Sequence, residues 1–164
     1  RYGDIHSAAE NWVEAKTQYG KAAQFDPGNI LPQYGYALAL AHQDSFAAAE
    51  SHIDRLAQLT GQPADLWLKL GWDYYEMAEH DRSRKASERA IALAPEHPFP
   101  LYNIALTYLV ESQTDLASQA YERALANQAL PPATADLLTT MISEGTLQGE
   151  SRDIAQRVIS TTAP

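Results

Sequence analysis

Apolar residues return at every third or fourth position along most of this chain, as at Leu66, Trp67, Leu70, Tyr74 and Met77. That spacing gathers them on one face of a helix. No segment alternates polar and β-branched residues in the manner of a strand. Pro27, Pro32, Pro63, Pro95, Pro98, Pro100, Pro131 and Pro132 punctuate the pattern without interrupting a long periodic stretch. Proline is tolerated in a helix's first turn and beyond its end, but not in its middle. The pattern predicts helices over 1–9, 11–25, 30–43, 45–59, 64–78, 80–93, 98–111, 114–127, 133–143 and 150–161. Short polar breaks at Gln43-Asp44-Ser45, Glu79-His80-Asp81 and Gln113-Thr114-Asp115 divide the units into helix pairs. Asp44, Asp81 and Asp115 are expected to cap the second helix of each pair or to sit in its first turn.

The pairs also repeat. Ala15, Ala49, Ser83 and Ala117 are spaced by 34 residues, and so are Ala22, Leu56, Ala90 and Ala124. Trp12, Phe46, His80 and Thr114 form another column, and Pro27, Gly61, Pro95 and Ala129 mark the unit ends. A fixed period of this size predicts a solenoid of stacked helical hairpins. Solenoids present extended surfaces to other macromolecules rather than one closed pocket.

The stretch from Trp67 through Leu70, Gly71 and Tyr74 matches the W-x2-L-G-x2-Y signature of the tetratricopeptide repeat, which this chain resembles over roughly residues 1–129. The unit from Pro98 follows with Leu101, Ile104, Ala105, Tyr108, Ala117, Tyr121, Ala124 and Leu125. The unit from Ile30 keeps Tyr36, Ala37, Leu40, Ala49 and Ile53, and residues 1–29 keep Ala15, Tyr19, Ala22 and Pro27. Ser83 and Ser87 depart from the small apolar and aromatic residues that the family favours there. The resemblance implies an all-α, right-handed α-solenoid of about four helix pairs, with units 1–29 (truncated), 30–63, 64–97 and 98–131. Residues 132–164 are expected to be a degenerate pair or a terminal cap, within one solenoid domain. Small residues such as Gly71, Ala90, Ala105 and Ala124 let helices approach, and Trp67, Leu70, Tyr74 and Tyr108 fill the space opposite. The start at Arg1, partway through a unit, is expected of a piece of a longer protein.

Charge and chemistry narrow the function. The formal net charge is −9, from 21 acidic and 12 basic residues, which argues against nucleic acid as the partner. No apolar run is long enough to cross a bilayer, so no direct membrane insertion is expected. Cysteine is absent, which excludes disulfides, thiol catalysis and Cys-ligated zinc. His6, His42, His52, His80 and His97 form no H-E-x-x-H motif, and no glycine-rich phosphate loop occurs. No catalytic residue, cofactor or metal is expected, and the chain is not read as an enzyme. Arg82, Arg84, Lys85 and Arg89 form a basic cluster on an outer helix, read as a solvated face or as a docking patch for an acidic partner.

In the resembled family the first helix of each pair lines a concave groove. Carried over by offset, this implies a partner-binding surface of Tyr34, Leu38, His42, Leu68, Trp72, Tyr75, Glu76, Phe99, Tyr102 and Leu106. An apolar, aromatic groove suits an amphipathic helix or an extended apolar peptide of a protein partner. His42 and Glu76 hold equivalent places in adjacent units. Some family members clamp a terminal carboxylate. The corresponding places here hold Tyr34, Leu38, Lys69, Phe99 and Asn103, of which only Lys69 and Asn103 are suitably polar, so that clamp is not expected. Two settings suit such a scaffold: assembly or export at a bacterial envelope, for example of polysaccharide, or a docking domain fused to an enzyme such as a glycosyl- or sulfo-transferase.

Overall fold

A computed structural model of the chain describes residues 11–127 and 129–161, with the side chain of Asn127 left aside. Among the described residues there are nine helices and no strand. They are α1 (Trp12–Phe25), α2 (Ile30–Ala41), α3 (Phe46–Thr60), α4 (Pro63–Glu76), α5 (His80–Leu93), α6 (Phe99–Val110), α7 (Thr114–Asn127), α8 (Pro132–Ser143) and α9 (Gly149–Ser160). Each coincides within a few residues with a helix expected from the periodicity. The expected helix over 1–9, with His6, lies outside the described residues.

Local chemistry sets the helix ends. The Asn11 side chain accepts from the Glu14 backbone N–H at 3.3 Å, and Asn29 accepts from that of Leu31 at 3.2 Å. Each thereby satisfies a donor that has no partner within the helix. Pro63 and Pro132 open α4 and α8, where a missing N–H costs nothing. Gly61 ends α3 in the left-handed conformation, at φ 68°.

The turns inside the hairpins share one closure. The N–H groups of Ser45, Glu79 and Gln113 donate to the carbonyls of Leu40, Tyr74 and Tyr108 at 3.0, 2.9 and 2.9 Å. The residues just before these donors, Asp44, Ala78 and Ser112, are left-handed, at φ 57°, 60° and 58°. This is the Schellman arrangement, in which a left-handed residue turns the chain so that the last carbonyls find donors. Asp44 therefore does not cap α3 as the sequence suggested: it is the left-handed residue of the turn, and Ser45 stands at the N-cap. Asp81 and Asp115 do lie in the first turns of α5 and α7. The turn from α8 to α9 closes in the same way, with Thr146 donating to Met141 at 2.9 Å and Gly145 at φ 74°. The last two helices are thus joined like the hairpins before them.

The chain divides into two compact units, Arg1–Leu70 and Gly71–Pro164, with the boundary inside α4. In the first unit α1 packs on α2, and α2 on α3. Ala15, Ala37, Ala49 and Ile53 are fully buried there, and Trp67 and Leu70 are buried as well. Gly35 permits the close approach of α1 and α2, since a Cβ there would lie 2.5 Å from the Tyr19 ring. One repeat column departs: Ala22 is exposed and its neighbour Ala23 is buried instead. In the second unit α5 packs on α6, α6 on α7, and α9 on both α7 and α8. Its core gathers Leu101, Leu109, Ala117, Tyr121, Ala124, Leu138, Met141, Ile154 and Val158.

Candidate functional site

The expected groove residues sort differently once packed. In the first unit Tyr34 is buried, and the Lys69 ammonium sits 4.5 Å from the centre of its ring. Leu38 and Leu68 are half-buried. His42 stacks on Trp12, with ring centres 3.6 Å apart and planes 3° from parallel.

The second unit brings four of the ten candidates into one place. Trp72 from the end of α4, Phe99, Tyr102, Asn103 and Leu106 from α6, and Ala133, Thr134 and Leu137 from α8 line an open cavity of roughly 310 Å³. The helices supply these residues for a simple reason. Phe99, Tyr102, Asn103 and Leu106 fall at spacings of three and four, hence on one face of α6. Trp72 is half-buried and Phe99 is 44% exposed, so these two rings form the open part of the wall. Tyr102 and Leu106 are only 2% exposed and lie deeper. Tyr75 packs beside Trp72 with ring centres 5.3 Å apart, and Glu76 is exposed.

No charged side chain lines this cavity. Its polar residues are Tyr102, Asn103 and Thr134. The Asn103 Nδ2 is buried without a hydrogen-bond partner. An amide donor in that state carries an uncompensated desolvation cost. Burial pushes the Tyr102 hydroxyl above its ordinary pKa, and burial followed by the Glu76 charge does the same for Tyr75. Behind Tyr102 stands Tyr121, with ring centres 6.3 Å apart. Its buried hydroxyl has no partner and is pushed strongly upward by burial, then by Tyr75 and Tyr102. All three phenols are held neutral. The wall can accept apolar groups and neutral hydrogen-bonding groups, and it offers no countercharge to an ion.

Sequence reasoning missed Ala133, Thr134 and Leu137. A signal was present: Ala133 is one repeat beyond Phe99, and Leu137 one repeat beyond Asn103. Extending the offset into residues 132–164 would have found both.

Two residues of the basic cluster, Arg82 and Arg84, take part in ion pairs. Arg84 pairs with Glu111 at 2.6 Å and with Asp81, and lies over the Tyr108 ring at 4.8 Å. Arg82 pairs with Glu79 at 3.4 Å. The His80 ring, 3.2 Å from Glu111, joins the same network. Among the described residues no group of histidines and carboxylates could hold a metal ion. No described helix is long and apolar enough to cross a membrane.

No protein-family model matches the sequence, and no curated protein matches it. Solved structures do. A crystal structure of MamA aligns over 99% of this chain and 92% of its own, with a TM-score of 0.54 at 20% identity. PilF of Pseudomonas aeruginosa aligns over 99% of this chain and 73% of its own, with a TM-score of 0.52 at 18% identity. PilW, a widely conserved type IV pilus biogenesis factor, aligns over 98% of this chain and 74% of its own, with a TM-score of 0.52 at 18% identity. With its column spacing, its repeated hairpin turn and these alignments, the chain has the all-α fold of the tetratricopeptide-repeat proteins.

Proposed function

We propose that this chain is a protein-interaction scaffold that takes an apolar side chain of a partner peptide or helix into the cavity between α4, α6 and α8. The observation that carries the reading is the cavity itself. Its walls come from three successive first helices, its open side is formed by Trp72 and Phe99, and its lining holds no charge. Half-exposed aromatic rings over an apolar recess are the groups that dominate binding energy at protein interfaces. The reading assigns no catalytic residue and needs no cofactor. The setting we propose is assembly at a bacterial envelope, to which the likeness to PilW lends its support.

Selection of binders from a random-peptide display library with the whole chain tests this. The selected peptides should share a large apolar residue and compete with one another. Trp72→Ala should weaken the selected peptides about tenfold or more, equivalent to ~1.4 kcal/mol, because the half-buried ring forms part of the open wall of the cavity. Peptides that bind Trp72→Ala and Phe99→Ala as tightly as the parent chain would overturn the assignment of the cavity.

A further inference from the structure

A second cavity, roughly 410 Å³ in volume, lies in the first unit between α1, α2 and α3 and shares no residue with the site above. Its walls are mixed. Pro27, Leu56 and Leu59 supply apolar surface, with Leu59 72% exposed, and Tyr36 adds a ring. Gly20 makes room for that ring, since a Cβ there would lie 3.3 Å from Tyr36. The remaining wall carries Arg55.

A chain of hydrogen bonds holds Arg55 in place. The Gln33 amide nitrogen donates to the backbone carbonyls of Ala23 and Pro27, at 3.3 and 3.4 Å. That turns the Gln33 Oε1 toward His52, where it accepts from the ring's Nε2–H at 2.9 Å. With the proton fixed on Nε2, the Nδ1 lone pair faces Arg55 and accepts from its guanidinium at 3.1 Å. Burial, and then the Arg55 charge, push the His52 pKa below its ordinary value, which keeps the ring neutral and able to accept. The imidazole is the only hydrogen-bond partner of Arg55 among the described residues, and no described carboxylate pairs with it. A guanidinium has five N–H donors, and its fork matches a carboxylate in two parallel bonds. In a chain with 21 acidic residues against 12 basic ones, Arg55 is a cation fixed through a neutral ring at the edge of an apolar recess, with most of its donors unused.

We infer that this cavity is a binding site for a carboxylate joined to an apolar group, with Arg55 holding the carboxylate and Tyr36, Pro27 and Leu59 receiving the apolar body. His52 and Gln33 are positioning residues: they orient the guanidinium and do not touch the ligand's charge. The same chemistry is carried by a free aryl-alkanoic acid and by the C-terminal residue of a protein that ends in an aromatic side chain.

The test is a titration of the whole chain with 3-phenylpropionate, followed by calorimetry and by amide NMR shifts. 3-Phenylpropionamide and acetate serve as controls. A short peptide ending in phenylalanine, with a free or an amidated C-terminus, distinguishes the two sources. The acid should bind saturably, at least tenfold more tightly than its amide and than acetate, and shift Gly20, Gln24 and Leu59. Arg55→Gln, an exposed position whose replacement leaves the core untouched, should bring the acid down to the affinity of the amide. His52→Ala should reduce the preference for acid over amide. If the peptide with the free terminus binds more tightly than phenylpropionate, the source is a protein terminus; the reverse order assigns a small acid. Equal binding of acid and amide, absence of saturable binding, shifts that map elsewhere, or acid binding that survives Arg55→Gln would each overturn the proposal.

Discussion

Gly71 and Ser87 together offer a measurement of how closely α4 and α5 approach. A Cβ built on Gly71 would lie 2.9 Å from the Ser87 hydroxyl oxygen and 3.2 Å from the Ser83 backbone carbonyl. The hydroxyls of Ser83 and Ser87 are fully buried and have no hydrogen-bond partner. Gly71→Ala gains about 1 kcal/mol in helix propensity. It meets an overpacking cost of about 1–3 kcal/mol, because a backbone carbonyl cannot move aside as a side-chain tip can. The expected net change is a loss of about 1 kcal/mol. Ser87→Ala removes a buried hydroxyl that has lost water and gained nothing, and is expected to stabilise by about 1 kcal/mol. The double variant should be more stable than the sum of the singles by about 1 kcal/mol, since alanine at 87 vacates the space that the new methyl needs. Urea unfolding followed by circular dichroism reads all four corners of this cycle, and each kcal/mol should move the melting temperature by about 2–4 °C. If Ser87→Ala destabilises, its hydroxyl has a partner. If the coupling is below about 0.3 kcal/mol, the two helices are not in the contact described.

Two further outcomes follow from the turns and from His52. Ala78 is left-handed at φ 60°, a conformation that costs an alanine about 1–2 kcal/mol and a glycine little. Ala78→Gly should therefore raise stability in urea, less the extra freedom gained by the unfolded chain, whereas a fall would mean that the turn has another shape. His52 is held neutral below its ordinary pKa of 6.5, so the unfolded chain takes up a proton at a higher pH than the native one. Its contribution to stability is complete above pH 6.5 and declines as the pH falls from there to the lowered native value. The stability of His52→Gln, measured from neutral to mildly acidic pH, should fall less steeply than that of the parent chain. An equal slope would show that His52 is protonated alike in both states.

The sequence by itself determined the elements and their repetition. Residues 34 apart must meet the same neighbours if each hairpin stacks like the last. Ala15, Ala49, Ser83 and Ala117 accordingly all come to 0% exposure. Proline positions marked the joints because their missing N–H excludes the helix interior. The turn was less legible. Its left-handed residue is Asp44, Ala78 or Ser112 in three hairpins, and only Gly145 carries the residue type that announces the conformation. Packing decided the cavity in the second unit. The offset put Tyr102 and Leu106 beside Trp72 in a pattern, yet depth depends on how α6 and α8 enclose each position, which no spacing along one helix encodes. The cavity in the first unit was wholly a tertiary outcome. Gln33, His52 and Arg55 are ordinary polar residues in sequence, and the direction of each hydrogen bond between them depends on two backbone carbonyls, those of Ala23 and Pro27, that only folding brings within reach.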